Sequence, residues 1–293
     1  MKKSGIRFKN SKYIILLFIA PIIAISLLGI NTKFVAYANN LDEHKSEIYY
    51  ADNGSEDFIY SLEQIEFSTK TDDIIYINES FPEYYNTNSS LNNACANVAG
   101  SIIIGYYDRY YDLIPNCLVG AVRGGNYFYF PMIVNTSAVQ NVINILYEKM
   151  DTNVINIGTT QEQYKAGLIN YVDSRNRVVD FESVLTGNSL DMEKLDEAIT
   201  NQRPVSLFLS SYNLCDISES ATEYSIDKYV YSGNHIMIAY GYRIIRYFDD
   251  AGNNFRTDIF LLVSSGHSSR NSGWYYIGES NTTLNAAESA YIY

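Results

Sequence analysis

The chain has 293 residues, with 33 Asp and Glu against 21 Lys and Arg, a formal net charge of −12 at pH 7. A hydrophobic share of 47% supplies an ample core and excludes a disordered chain, while the acidic balance excludes a nucleic-acid partner, because such a surface repels phosphate. Three cysteines, Cys95, Cys117 and Cys215, are too few for a disulfide scaffold and leave one thiol over.

At the amino terminus Lys2, Lys3, Arg7, Lys9 and Lys12 precede an apolar run from Tyr13 to Ile30, followed by Ala36-Tyr37-Ala38. A basic start, an apolar centre and an A-x-A triplet read as a secretory signal peptide over residues 1–38, with cleavage expected after Ala38. The apolar run is long enough to span a bilayer, so an uncleaved anchor is the rival reading. Cleavage removes six basic residues and no acids, leaving 293 − 38 = 255 residues and a formal charge of 15 − 33 = −18. The expectation is a secreted protein with no stable membrane association once the signal is removed.

From Asn39 to about residue 80 the sequence is acidic and broken by turn residues, with strand-like runs at Phe58-Ile59-Tyr60 and Ile74-Ile75-Tyr76-Ile77. It reads equally as a pro-segment or as an amino-terminal strand layer. An Asn-rich loop, residues 86–93, then leads to Cys95, after which Val98, Ile102 and Tyr106 recur at helical spacing. Asn92 or Asn93 is the expected N-cap, which sets Cys95 in the first turn, and Pro115 ends the helix. Further helices are expected over Ser137–Met150, Thr159–Val172 and Ser189–Asn201. After Pro204 the pattern turns to strands: Val205–Leu209, His235–Ile245, Asp258–Val263 and Trp274–Ile277. A helical half followed by a mainly antiparallel half is an α+β arrangement.

A thiol attacks a carbonyl only as thiolate, and a helix amino terminus lowers its pKa through the positive end of the dipole. Cys95 has that context, whereas Cys117 and Cys215 read as loop residues. The alternative for Cys95 is a small buried thiol packed under its helix. Of the three histidines, His44 lies in the acidic stretch and His267 in the loop Ser264-Ser265-Gly266-His267-Ser268-Ser269. His235 follows Gly233-Asn234 and opens an apolar strand, where an imidazole at the tip can face a cleft. The interval from cysteine to histidine, 235 − 95 = 140, falls within the spacing of papain-type enzymes, about 130 to 150 residues.

Asn93-Ala94-Cys95-Ala96-Asn97-Val98-Ala99 through Gly105-Tyr106-Tyr107-Asp108, and Gly233-Asn234-His235 through Gly241-Tyr242, resemble the cysteine helix and histidine strand of the papain-like cysteine peptidase superfamily. The nearest resemblance is to its bacteriocin-leader-processing peptidase-like group and to streptopain-like secreted bacterial peptidases. It covers about residues 84 to 280 and implies a papain-like α+β fold over residues 81–293, with a helical half carrying the cysteine packed on a sheet carrying the histidine. The implied activity is that of a secreted cysteine peptidase, a thiol protease of the hydrolase class. Cys95 would form a thioester, His235 would act as general base, an extracellular or cell-surface polypeptide would be the substrate, and no metal or organic cofactor is needed.

Two positions depart from those families. Where they carry Asn or Asp after the apolar strand, this chain has Ser264, so Ser264 is the expected third residue, with Asn271, Asp249 or Asp250 as substitutes. Where they carry a Gln before the cysteine, Asn88 is the first oxyanion-hole candidate, with Asn92 and Asn93 behind it. Two other readings stay open: a peptidoglycan-stem endopeptidase or amidase using the same pair, and a catalytically faded peptidase-like binding module.

Overall fold

The structure is a computed structural model that describes residues 47–51, 58–77, 81–108, 135–278 and 282–293. The segment 1–38 expected to be a signal peptide, His44, Pro115 and Cys117 lie outside the described residues. In chain order the elements are β1 (Tyr49–Tyr50), β2 (Phe58–Glu66), β3 (Thr69–Tyr76), α1 (Cys95–Asp108), α2 (Ser137–Lys149), β4 (Thr159–Thr160), α3 (Gln161–Asp173), β5 (Val179–Ser183), β6 (Leu185–Thr186), β7 (Ser189–Leu190), α4 (Met192–Thr200), β8 (Val205–Glu219), β9 (Glu223–Phe248), β10 (Asn254–Ser264), β11 (Ser272–Ile277) and β12 (Thr283–Ile292).

Local chemistry accounts for the helix starts. Thr136 accepts from Val139 N ahead of α2, and Thr160 forms a reciprocal capping box with Gln163 ahead of α3. Asp191 accepts from the amides of Glu193 and Lys194, so α4 begins at Met192 and not at Ser189, which belongs to the short β7. The first helix departs from expectation at its cap. Ala94 precedes Cys95, Val98 N bonds back to Ala94 O, and Asn93 takes a left-handed φ of +60° with its amide donating to Asn153.

Residues Cys95 through Tyr107 of α1 are all buried. The helix packs on α2 and α3 on one side and on β9 on the other, which explains why its sequence lacks a polar face. Tyr84 lies so close that a Cβ at Gly105 would meet its hydroxyl at 2.2 Å. Phe81 stacks on Tyr240 of β9 at 4.3 Å, fixing the approach to the cysteine loop against the histidine strand.

The strands dominate. β8 pairs with β9, β9 with β10, β10 with β11, and β11 back to β8 through Trp274 and Cys215, so the ladder closes on itself. Along β9, β2 pairs with Glu223–Tyr231 on the edge opposite β8, and β3 pairs with Gly241–Phe248 on the edge opposite β10. A second apolar cluster of Ile65, Cys215, Tyr224, Ile226, Ile245, Tyr247 and Phe260 sits on these strands, separate from the main core around α1. Beside it lie charged side chains that the fold has had to pair. Glu63 binds Lys228 and Arg256, Asp72 and Glu219 bind Arg243, and Asp258 binds Arg256 and Tyr276.

Two expectations are corrected here. The papain-like architecture does not hold: among the described residues strand outweighs helix, 47% against 24%, and a large antiparallel sheet is built on two long strands, β8 and β9. Only the coarse α+β description is compatible with this. The physical reason is the stretch 210–234, which continues the pairing of β8 with β9 far beyond the runs that apolar patterning marks. Cys215 is likewise no loop residue; it is buried within β8, its sulfur 3.5 Å from Asn213 Oδ1.

Candidate active site

The loop before Cys95 is built from asparagines. Asn86 Nδ2 donates to the carbonyls of Asn88 and Leu91, and Asn86 Oδ1 accepts from Asn88 N. Asn153, at a left-handed φ of +62° that Asn tolerates, donates to Asn92 O and to Tyr147 Oη and accepts from Asn93 and Gly158 N. In the first turn of α1, Asn97 is fully buried and donates to Thr152 Oγ1 at 3.0 Å. The start of the helix is thus anchored on both sides, and Ala94 offers the first-turn amides no side-chain acceptor.

Cys95 is 4% exposed. Tyr50 lies near it. Burial raises the Tyr50 phenol well above its ordinary value, a hydrogen bond with Asn285 opposes the rise, and electrostatic interaction with Cys95 adds to it. The flanks of Tyr50 attach to the residue before His235: Ala51 N donates to Asn234 O at 3.2 Å, and Asn234 Nδ2 donates to Tyr49 O at 2.7 Å. A second bridge joins the same two elements. Gly266, at φ +79°, packs so closely on Val98 of α1 that an added Cβ would lie 3.1 Å from its methyl group. Through Tyr50 and through Gly266, the amino terminus of α1 and the His235 end of the sheet meet in one place.

His235 is 2% exposed, and its Nε2 lies 2.7 Å from Ser265 O. A carbonyl oxygen only accepts, so Nε2 carries a proton, and in the neutral form of the ring Nδ1 is the basic nitrogen. The ring faces are held as well. Tyr212 stacks on His235 at 4.9 Å and His267 stacks on it at 4.6 Å, within 10° of parallel. His267 Nε2 is 2.6 Å from Tyr212 Oη, and His267 N donates to Ser265 Oγ.

The structure does not bring the other expected residues to this place. Ser264 Oγ donates to Pro82 O at 2.7 Å, which ties the segment after Phe81 to β10. Asn88 uses Oδ1 to accept from Ser90 and Nδ2 to reach Asn144 of α2, so its side chain serves the loop. Asp249 closes the turn after β9, accepting from Ala251 N and Asn253 N, and Asp250 is exposed in that turn. Asn271 accepts Ser265 N with its carbonyl and so shapes the loop without touching the ring through that bond. Tyr50, Asn153, Tyr212, Ser265 and His267 were not legible as site residues. Only His267 carried a signal, its being one of three histidines.

A cavity of about 450 Å³ opens beside Asn234, lined by Glu47, Tyr49, Ala51, Ile157 and Ser210 among others. Ser210 Oγ accepts from Asn285, the residue that also bonds Tyr50. Among the described residues no cluster of His, Cys, Asp and Glu could hold a metal ion, and no helix is long and apolar enough to cross a membrane. No protein-family model, no curated protein and no solved structure matches the chain.

Proposed function

We propose that the protein is a cysteine peptidase, a hydrolase that works outside the cell and cleaves polypeptides through a thioester on Cys95. The observation that carries the reading is the bond from His235 Nε2 to Ser265 O. It orients the imidazole through one ring nitrogen and ties it to the loop of Ser265 and Gly266, which also packs on the first turn of the cysteine helix.

In this mechanism the proton of the Cys95 thiol passes to His235 Nδ1, and the thiolate attacks the scissile carbonyl. The oxyanion is met by first-turn amides of α1, whose dipole favours negative charge and which Ala94 cannot cap. Imidazolium returns its proton to the leaving amine, and water, with His235 as base, releases the acid. Ser265 O stabilises the imidazolium and holds its plane, the role expected of Ser264 from sequence. The cavity beside Asn234 adjoins the residue before His235 and falls in the size range of ligand pockets. The chemistry uses no metal or organic cofactor.

A second reading, a binding module without catalysis, is favoured by one observation, the burial of Cys95. Labelling of the secreted protein with iodoacetamide at neutral pH, mapped by mass spectrometry, separates the two. The peptidase reading expects fast labelling at Cys95 that falls at least tenfold in His235→Ala, together with cleavage of a denatured protein substrate lost in the same variant. Slow labelling indifferent to His235 supports the binding module and sinks the peptidase. Release of stem peptides from peptidoglycan, with protein left intact, would redirect the substrate assignment to the cell wall.

A further inference from the structure

The histidine pair is the feature that the peptidase reading does not use. His235 and His267 lie face to face, ring centres 4.6 Å apart and 10° from parallel, although 32 residues separate them in the chain. Tyr212 and Tyr231 extend the stack, lying 4.9 Å from each other, with Tyr231 5.3 Å from His267. Ser265 grips both histidines, His235 through its carbonyl and the backbone of His267 through its hydroxyl. Unlike His235, His267 is half-buried and within reach of solvent protons.

We propose that His267 is a positioning residue for His235 that also makes the site sensitive to acid. The inference rests on the peptidase reading, in which His235 must become an imidazolium when Cys95 gives up its proton. With His267 neutral, the stacked ring holds His235 in plane and its π face tolerates a cation alongside. With His267 protonated, two like charges stand face to face at 4.6 Å, and the imidazolium form of His235 is disfavoured. The proton then stays on the Cys95 sulfur and the thiol is inert.

His267 has titratable neighbours on two strands. From β8 it meets Tyr212, and from β9 it meets His235 and Tyr231. In its own loop Arg270 is engaged elsewhere, pairing with Asp216 at 2.6 Å and lying over the Tyr229 ring at 3.7 Å. From α1 the loop meets Val98, which is uncharged.

The test is the pH profile of Cys95 labelling in wild type, His235→Ala, His267→Phe and His267→Ala. Phe keeps a flat ring in the stack but cannot take a proton. The expected result is a His267→Phe rate within about threefold of wild type at neutral pH, with the acid limb moved down by about one pH unit, a tenfold change. His267→Ala, which loses the ring as well, is expected to fall about tenfold at every pH. As a readout on the wild-type protein itself, proton NMR titration should show the two ring signals titrating with mutual influence. An acid limb unmoved in His267→Phe, or independent titrations in the wild type, would overturn the proposal while a collapse in His235→Ala left the peptidase reading standing. Labelling indifferent to His235 would overturn both.

Discussion

The carbonyl oxygen of Ser265 stands 2.7 Å from Nε2 of His235, while the hydroxyl of its neighbour Ser264 bonds Pro82 O at the same distance on another side of the strand. The Ser264 hydroxyl spends its proton on Pro82 O, whereas the main-chain oxygen of the next residue accepts from the imidazole. The orienting group is therefore a main-chain atom, and the side chain expected to do that work is structural.

Replacing Ser264 by Ala should separate these roles. It leaves a buried carbonyl at Pro82 without its donor, an effect of about 1–2 kcal/mol on stability. A lower urea midpoint with an unchanged pH profile of Cys95 labelling is the expected outcome. A changed profile would return Ser264 to the catalytic group.

Residues 58–76 are joined to the body of the sheet by charge as well as by strand pairing. Lys228 and Arg243 are each 7% exposed, and their partners Glu63 and Asp72 come from β2 and β3. Deleting everything before Phe81 takes Glu63 from Lys228 and leaves Arg243 with Glu219 as its ion-pair partner, and removing the partner of a buried charge costs on the order of 3–5 kcal/mol where burial is complete. The truncated chain should lose its cooperative thermal transition by circular dichroism. A folded product with raised activity would show instead that the segment is a detachable pro-region.

The same cluster sets a dependence on pH. Arg243 hydrogen-bonds Asp72 and holds its carboxyl below the usual range; burial alone would raise Glu63 and Glu219, but bonds from Arg256 and Lys228, and from Lys70 and Arg243, outweigh it. A carboxyl depressed in the folded state adds stability that is complete above its unfolded value, about 4, and is lost as pH falls through the folded one. Urea midpoints should thus be insensitive to these groups from about pH 5 to 7 and fall below about pH 4. Asp72→Asn should start lower at neutral pH and show a shallower acid decline. Parallel curves for the two proteins would remove Asp72 from the account.

What the sequence determined by itself is local. Apolar spacing after Cys95, hydroxyl and carboxylate caps at Thr136, Thr160 and Asp191, and β-rich runs around His235 are signals carried within a few residues, because helix and strand geometry repeat over that range. They placed Cys95 at a helix start and His235 on a strand. The tertiary structure decided the rest. Closure of β8 onto β11, the pairing of β2 and β3 along β9, and the long continuation of β8 and β9 depend on partners far apart in the chain, where neither periodicity nor composition speaks. The site shows the same division. Every residue has a carbonyl, so nothing in the letters distinguishes Ser265, and nothing in a Ser-rich loop announces that His267 will lie flat on His235 until a glycine at φ +79° lets that loop close down on α1.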